Sequence, residues 1–167
     1  QLHRDLRRQR QMCIRDSIRR IVPNCAISSD IIAGFCTETE EDHKDTLDMM
    51  EFVKYDFSYM FKYSERPNTL AQRKLTDDVS EKDKSRRLAE IIALQNEHSL
   101  ERNKAFVGGE FEVLVEKASK KSDSELAGRT SQNTVVVFPK KNYEPGDYVK
   151  VKVTDCTGAT LLGHAIN

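Results

Sequence analysis

The chain has no apolar run approaching the roughly 18 residues that a membrane-spanning helix needs, and its basic start lacks the apolar centre of a secretory signal. A cytoplasmic protein with no membrane contact is the expectation. Its four cysteines, Cys13, Cys25, Cys36 and Cys156, fit no C-x-x-C or C-x-x-x-C-x-x-C spacing. They read as reduced thiols, so this chain alone is expected to hold no metal. Net charge is lacking too, because 27 basic and 27 acidic side chains cancel. That balance argues against nucleic-acid binding by bulk electrostatics and leaves room for a local basic face.

What is present is a chain of 167 residues, 38% hydrophobic, enough for one ordinary domain or two small ones with a real core. Charge is segregated along it. Residues 1–24 are strongly basic, 25–60 strongly acidic, and the remainder nearly balanced. Residues 1–17 carry neither helical nor strand periodicity and resemble a translated adapter or junction, so Cys13 and the arginines there enter no functional argument. From Ile18 the pattern is readable. "IRRIVPNC" reads as a helix end stopped by Pro23, and "AISSDIIAGF" as a short strand. Thr37 with Glu40, or Thr39 with Asp42, offers an N-cap for a helix through "KDTLDMMEFVK". "DFSYMFKYS" then alternates as a second strand.

Strand, helix and strand over this distance make a βαβ unit with parallel strands. One such unit is expected to be part of a small sheet or a slice of a larger α/β barrel. "SERPNTLAQRKLTDDV" reads as a loop. Ser80 caps a long helix with a Leu88, Ile91, Ile92 stripe, running to about Lys104 and able to serve as a rigid spacer. Gly108-Gly109 marks a boundary. Beyond it, "EFEVLVEK", "NTVVVF", "EPGDYVKVKVTD" and "TLLGHAI" read as strands of a small closed barrel. The fold class is therefore an α/β partial barrel fragment, a long helix and a small all-β barrel. The divisions fall at 1–17, 18–104 and 105–167.

Two groups of residues carry candidate chemistry. On the first strand a period of two puts Ser28, Asp30, Ile32 and Gly34 on one face. In a strand covered on both sides, Asp30 must be salt-bridged to a neighbour or contact a ligand. Gly34 near the strand's end permits close approach of a ligand, which parallel folds bind at that end, and Arg66 follows the second strand into the same crevice. The acidic run Glu38, Glu40, Glu41, Asp42 reads as the first turn of a solvated helix, or as paired catalytic carboxylates. In the β region, Lys120, Lys121, Arg129, Lys140 and Lys141, with Tyr143, suit a phosphate backbone and a stacked base, or are scattered surface charges.

"SSDIIAGFCTETEEDH", "YMFKYSERPNTLA", "RRLAEIIALQNEHSLERNKAFVGGEFEVLVE" and "GRTSQNTVVVF…GDYVKVKVTDCTGATLLG", in this order, resemble the C-terminal part of MiaB-type tRNA methylthiotransferases over about residues 18–167. The resemblance implies a radical S-adenosylmethionine enzyme: an open α/β barrel followed by a TRAM β-barrel that holds tRNA. Such enzymes add a methylthio group to C2 of an isopentenylated adenosine beside the anticodon, using two [4Fe–4S] clusters. It further implies that Asp30, Ile32, Gly34, Phe35 and Arg66 meet S-adenosylmethionine, and that the anticodon stem-loop of tRNA is the partner of a monomer. Cys36-Thr37 departs from the Pro-Gly common in the family turn, and Asn68 from a usual Gly. The cluster cysteines are absent, so the chain by itself is expected to be inert. A stand-alone TRAM-type RNA-binding module, or a sibling methylthiotransferase with another target, is the alternative.

Overall fold

The computed structural model describes residues 14, 17, 18, 20–22 and 25–166. Cys13 and the expected helix stop Pro23 lie outside the described residues. The chain divides into two compact units, residues 1–96 and 97–167, with the division inside a long helix. Each unit is described by itself.

In the first unit, β1 (Ser28–Ala33) and β2 (Phe57–Lys62) pair in parallel, in register from Ser28 opposite Phe57 to Ala33 opposite Lys62. Two further backbone bonds, Asp56 N–H to Ile27 and Tyr63 N–H to Ala33, extend the ladder at both ends. The crossover helix α1 (Glu40–Val53) starts at Thr39, whose hydroxyl accepts from the Asp42 N–H while the Asp42 carboxylate accepts from the Thr39 N–H. Of the two readings of this N-cap, the Thr39–Asp42 capping box is the one formed.

The expected loop after β2 contains a short helix, α2 (Leu70–Lys74), capped by Thr69. Its five residues carry no apolar period, so only the cap could have announced it. Ser80 then caps α3 (Glu81–Lys104) by accepting from the Asp83 N–H at 3.1 Å. The apolar stripe expected on α3 is corrected in part. Ile91 is buried and Leu88 packs beside it, but Ile92 is exposed, and Lys84, Arg87, Gln95 and His98 fill the buried face. Nor is α3 only a spacer: with α1 it covers one face of the sheet. Ile31, Ala33, Met50 and Ile91 form the core there, each large side chain worth roughly 1.5–3 kcal/mol. Ser58 on β2 donates to Gln95 Oε1, and Gln95 Nε2 donates to the Tyr55 carbonyl. Both polar atoms of the buried Gln95 amide are thereby paired.

The other face of the sheet is open. Ile32, Tyr59 and Phe61 are 53%, 61% and 57% exposed. The strand is therefore covered on one side only, and Asp30, pointing to the open side, is exposed. In this chain Asp30 is therefore not the buried charge that a strand covered on both sides would make it.

In the second unit five strands close a barrel in the order β3-β4-β5-β7-β6. They are β3 (Glu110–Ala118), β4 (Glu125–Thr130), β5 (Val135–Pro139), β6 (Tyr148–Cys156) and β7 (Leu161–Ala165). Inward residues Val113, Val115, Val136, Phe138, Val149, Val151, Val153 and Leu161 make the core. Along β3 and β6 buried and outward-facing residues alternate, as the strand reading of both stretches requires. The strand β4, "ELAGRT", was not anticipated, because it lacks β-branched alternation. Gly128 at its centre lies so close to the Leu114 carbonyl that a side chain there would collide with it. Bulges after Val115 and Val153 bend β3 and β6 around the closure. Among the described residues no helix is long and apolar enough to cross a membrane.

Candidate functional site

Because β1 and β2 run parallel, their C-terminal ends open on the same side. A groove of about 620 Å³ lies there, walled by Ile32, Phe35, Phe61 and Tyr63, with Ser64, Arg66 and Thr69 supplying polar groups. The Phe35 and Tyr63 rings meet edge to face at 5.0 Å. The Arg66 loop is fixed locally. Asn68 takes the left-handed conformation at φ 67°, which asparagine tolerates, and its N–H donates to Gln72 Oε1. The Thr69 hydroxyl donates to the Arg66 carbonyl at 2.9 Å.

The turn after β1 is held from behind. Glu38 accepts from the Gly34 N–H at 3.0 Å and from Arg87, itself buried, at 2.9 Å. Asp78 accepts from the Thr37 N–H at 2.7 Å. Lys84, 2% exposed, lays its stem over Gly34 and donates to Asp77 at 2.6 Å and to Glu81 at 3.1 Å. Its ammonium lies 5.5 Å from the centre of the Tyr63 ring. Burial pulls the Lys84 ammonium down, but hydrogen bonds and charge from Asp77 and Glu81 outweigh it, and the net direction is upward. The Cys36 thiol beside the Tyr63 phenol, and then burial, push Tyr63 up to about 12.

The sequence-derived residues thus separate. Ile32, Phe35 and Arg66 come together in the groove. Gly34 is buried beneath Lys84, whose stem occupies the space that a side chain at this position would need. Asp30 stands further back on β1, opposite Tyr59. In the acidic run Glu40, Glu41 and Asp42 form the largely exposed first turn of α1, as one of its two readings expected, and the run is also held: Glu38 by Arg87, Glu40 by Arg86 and Arg87, and Asp42 in the capping box. The Arg86 hydrogen bond leads in holding Glu40 below the usual carboxylate range. With these partners the run has no catalytic pair. Lys84 was missed, although its spacing of three from Glu81 on a capped helix is a readable signal.

On the barrel, Lys140, Lys141 and Tyr143 line a hollow of about 560 Å³. Lys120 and Lys121 lie in the turn between β3 and β4, which is tied to the same end by the Lys140 N–H donating to the Ser124 carbonyl at 2.8 Å. Tyr143 packs edge-on against Phe138, with ring centres 6.4 Å apart. Arg129 is elsewhere. It sits four residues along β4 from Glu125, about 13 Å at the usual rise, and is held by Glu116 at 3.2 Å and by the Asn133 carbonyl at 2.9 Å.

These features define a class: an α/β unit with a groove at its strand ends, continuing into a small β-barrel. Residues 104–166 match the TRAM domain family. The chain is 56% identical over 159 residues to a protein of Christiangramia forsetii and 58% over 159 to one of Flavobacterium johnsoniae, covering 95% of this chain and 33% of each relative. It is 60% identical over 149 residues to one of Amoebophilus asiaticus, covering 89% of this chain and 31% of that protein. Each is named tRNA-2-methylthio-N(6)-dimethylallyladenosine synthase. By sequence the chain is similar to these synthases over nearly all of its own length, and its residues 104–166 match the TRAM domain family. It spans about a third of the length of the curated relatives it matches. The 159-residue matches are longer than the stretch 18–167, so they reach into the segment that had been set aside as foreign.

Proposed function

We propose that this chain is the C-terminal portion of a cytoplasmic tRNA-2-methylthio-N6-isopentenyladenosine synthase, divided at residue 104 into a radical S-adenosylmethionine α/β part and an RNA-holding barrel. The observation that carries the reading is the parallel β1–β2 pair, whose strand ends share a groove lined by Ile32, Phe35 and Arg66. Similarity to the synthases over nearly the whole chain supports it.

S-adenosylmethionine fits the residues of the groove. Ile32, Phe35 and Phe61 offer an apolar wall to the adenine, and Arg66 a charge-assisted partner to the carboxylate. When bound, that cofactor supplies the radical chemistry. The chain's own residues then have three tasks: the apolar wall excludes water, Arg66 orients, and the turn braced by Lys84 keeps Phe35 in place. Iron–sulfur clusters do not fit the described residues, among which no group of three or more His, Cys, Asp or Glu side chains is placed to hold a metal ion. Their ligands belong to the remainder of the whole protein, and the 167-residue chain alone is inert on this reading.

The barrel's lysines supply phosphate contacts to the tRNA anticodon stem-loop. A titration of the chain with that stem-loop at several salt concentrations tests this. Affinity falls linearly on a log–log plot as phosphate-bound counterions are released. An affinity indifferent to salt would remove the phosphate-contact reading.

A further inference from the structure

The hollow on the barrel has a composition that phosphate binding alone does not use. Its walls include Ala118 from the end of β3, Leu126 from β4, and Tyr143 and Pro145 from the loop joining β5 to β6. That loop is pinned at both ends, by the Lys140 N–H on the Ser124 carbonyl at 2.8 Å and the Gly146 N–H on the Val115 carbonyl at 2.9 Å. Between its ends, the Glu144 N–H donates to Asp147 Oδ2 at 2.8 Å. The space is therefore built into the folded barrel.

Charge is divided around it. Lys140 and Lys141 are exposed at the hollow, and Lys120 and Lys121 are exposed on the neighbouring turn. Glu144 lines the hollow itself, where its carboxylate opposes entry of a phosphate. Asn142 beside it offers both a donor and an acceptor. An anion is thus favoured on the lysines and disfavoured inside. A flat, neutral group with hydrogen-bonding edges is favoured inside.

We propose that this hollow receives one unstacked nucleobase of single-stranded RNA, whose flanking phosphates rest on Lys140 and Lys141. The proposal rests on RNA being the barrel's partner and adds what part of the RNA enters. About 560 Å³ is within the range of small-ligand pockets and accommodates a base with its sugar. Tyr143 and Pro145 supply the apolar contact on which a base rests irrespective of its identity. Asn142 and Glu144 meet its edge. A base paired within a duplex cannot enter, so the site distinguishes loops and single strands from helices.

The test uses the 167-residue chain, a short single-stranded RNA and a duplex of the same length, with binding measured at several salt concentrations. Ala118→Leu fills the hollow from an exposed position, and Asn142→Leu fills it from the loop. A thermal melt identifies whichever variant keeps the barrel intact. Filling the hollow is expected to weaken single-strand binding about 5- to 150-fold while leaving duplex affinity and the salt slope unchanged. Replacing Lys140 and Lys141 with alanine is expected to lower the slope by about two for both RNAs. Unfilled protein that holds the duplex as tightly as the single strand, or a folded filling variant that binds the single strand as before, would overturn the proposal while leaving the tRNA reading standing. Absence of salt-dependent binding to either RNA would overturn the tRNA reading itself, and this proposal with it.

Discussion

The stem of Lys84 lies directly over Gly34, and the ammonium at its end is buried between Asp77, Glu81 and the Tyr63 ring. One side chain from α3 thus fixes both strand ends that frame the groove: the turn after β1 through Gly34, and the residue after β2 through Tyr63. Phe35 follows Gly34 and packs on Tyr63, so the groove's aromatic wall depends on a residue outside it.

Gly34→Ala tests that dependence. The backbone there stands at φ 75°, where a Cβ is strained, and the added methyl collides with the Lys84 stem. The α/β unit is expected to lose about 3 kcal/mol. Hydrogen exchange reads it: the Ile31 and Ala33 amides lose protection while those of Val113 and Val151 keep theirs.

The ion pairs predict how the first unit responds to pH. Glu90 is held below its ordinary 4.5 first by His43 and then by Arg86; Glu81 is held below it first by Lys62 and then by Lys84. Depressed carboxylates contribute in full above 4.5 and lose that contribution as pH falls through their lower folded values. Lys84 is shifted upward from 10.5, so its contribution is full below that value and is lost as pH rises through the folded one. Exchange protection of the α/β unit is therefore expected to fall as pH drops below 4.5 and as it rises above 10.5. Glu90→Gln is expected to soften the acid fall.

Alternation along β6 gives a stability contrast. Val151 is fully buried in the barrel core, and Tyr148 on the same strand is exposed. Val151→Ala is expected to cost about 2 kcal/mol and Tyr148→Ala less than about 0.5. Denaturant unfolding followed by exchange of the barrel amides measures both. Equal costs would mean that the strand's faces are assigned wrongly.

Arg129 and the paired lysines are expected to differ as RNA contacts. Arg129 is already engaged by Glu116 and Asn133, so Arg129→Ala should leave the salt slope of tRNA binding nearly unchanged. Lys140→Ala and Lys141→Ala should each lower it by about one. Binding titrations across salt concentrations separate the two cases.

Much of this was legible because local signals agreed. Alternating Val149, Val151 and Val153, the Ser80 cap and the Thr39–Asp42 pair each point to the element that forms. The parallel pairing of β1 with β2 followed from the helix between them. β4 was hidden because Ala127 and Gly128 are small where a strand ordinarily shows branched residues, for the reason that the Leu114 carbonyl needs the space. The exposure of Asp30 could not be read from β1, because a period of two says which residues share a face, not whether that face is covered. The Lys84 stem that covers Gly34 comes from fifty residues along the chain, on a helix whose buried stripe includes a lysine and an arginine. Hydrophobic patterning does not register such a stripe.

The central claim is that this segment does the work of the corresponding third of a tRNA methylthiotransferase. The most direct measurement replaces that third of the Flavobacterium johnsoniae synthase with residues 18–167 of this chain and quantifies methylthiolated adenosine in tRNA by mass spectrometry, with an Arg66→Ala version alongside. The account predicts modification by the chimera and at least a tenfold loss, by about 1.4 kcal/mol or more, in the Arg66→Ala version. A folded, cluster-loaded chimera that binds tRNA but leaves the adenosine unmodified would contradict it.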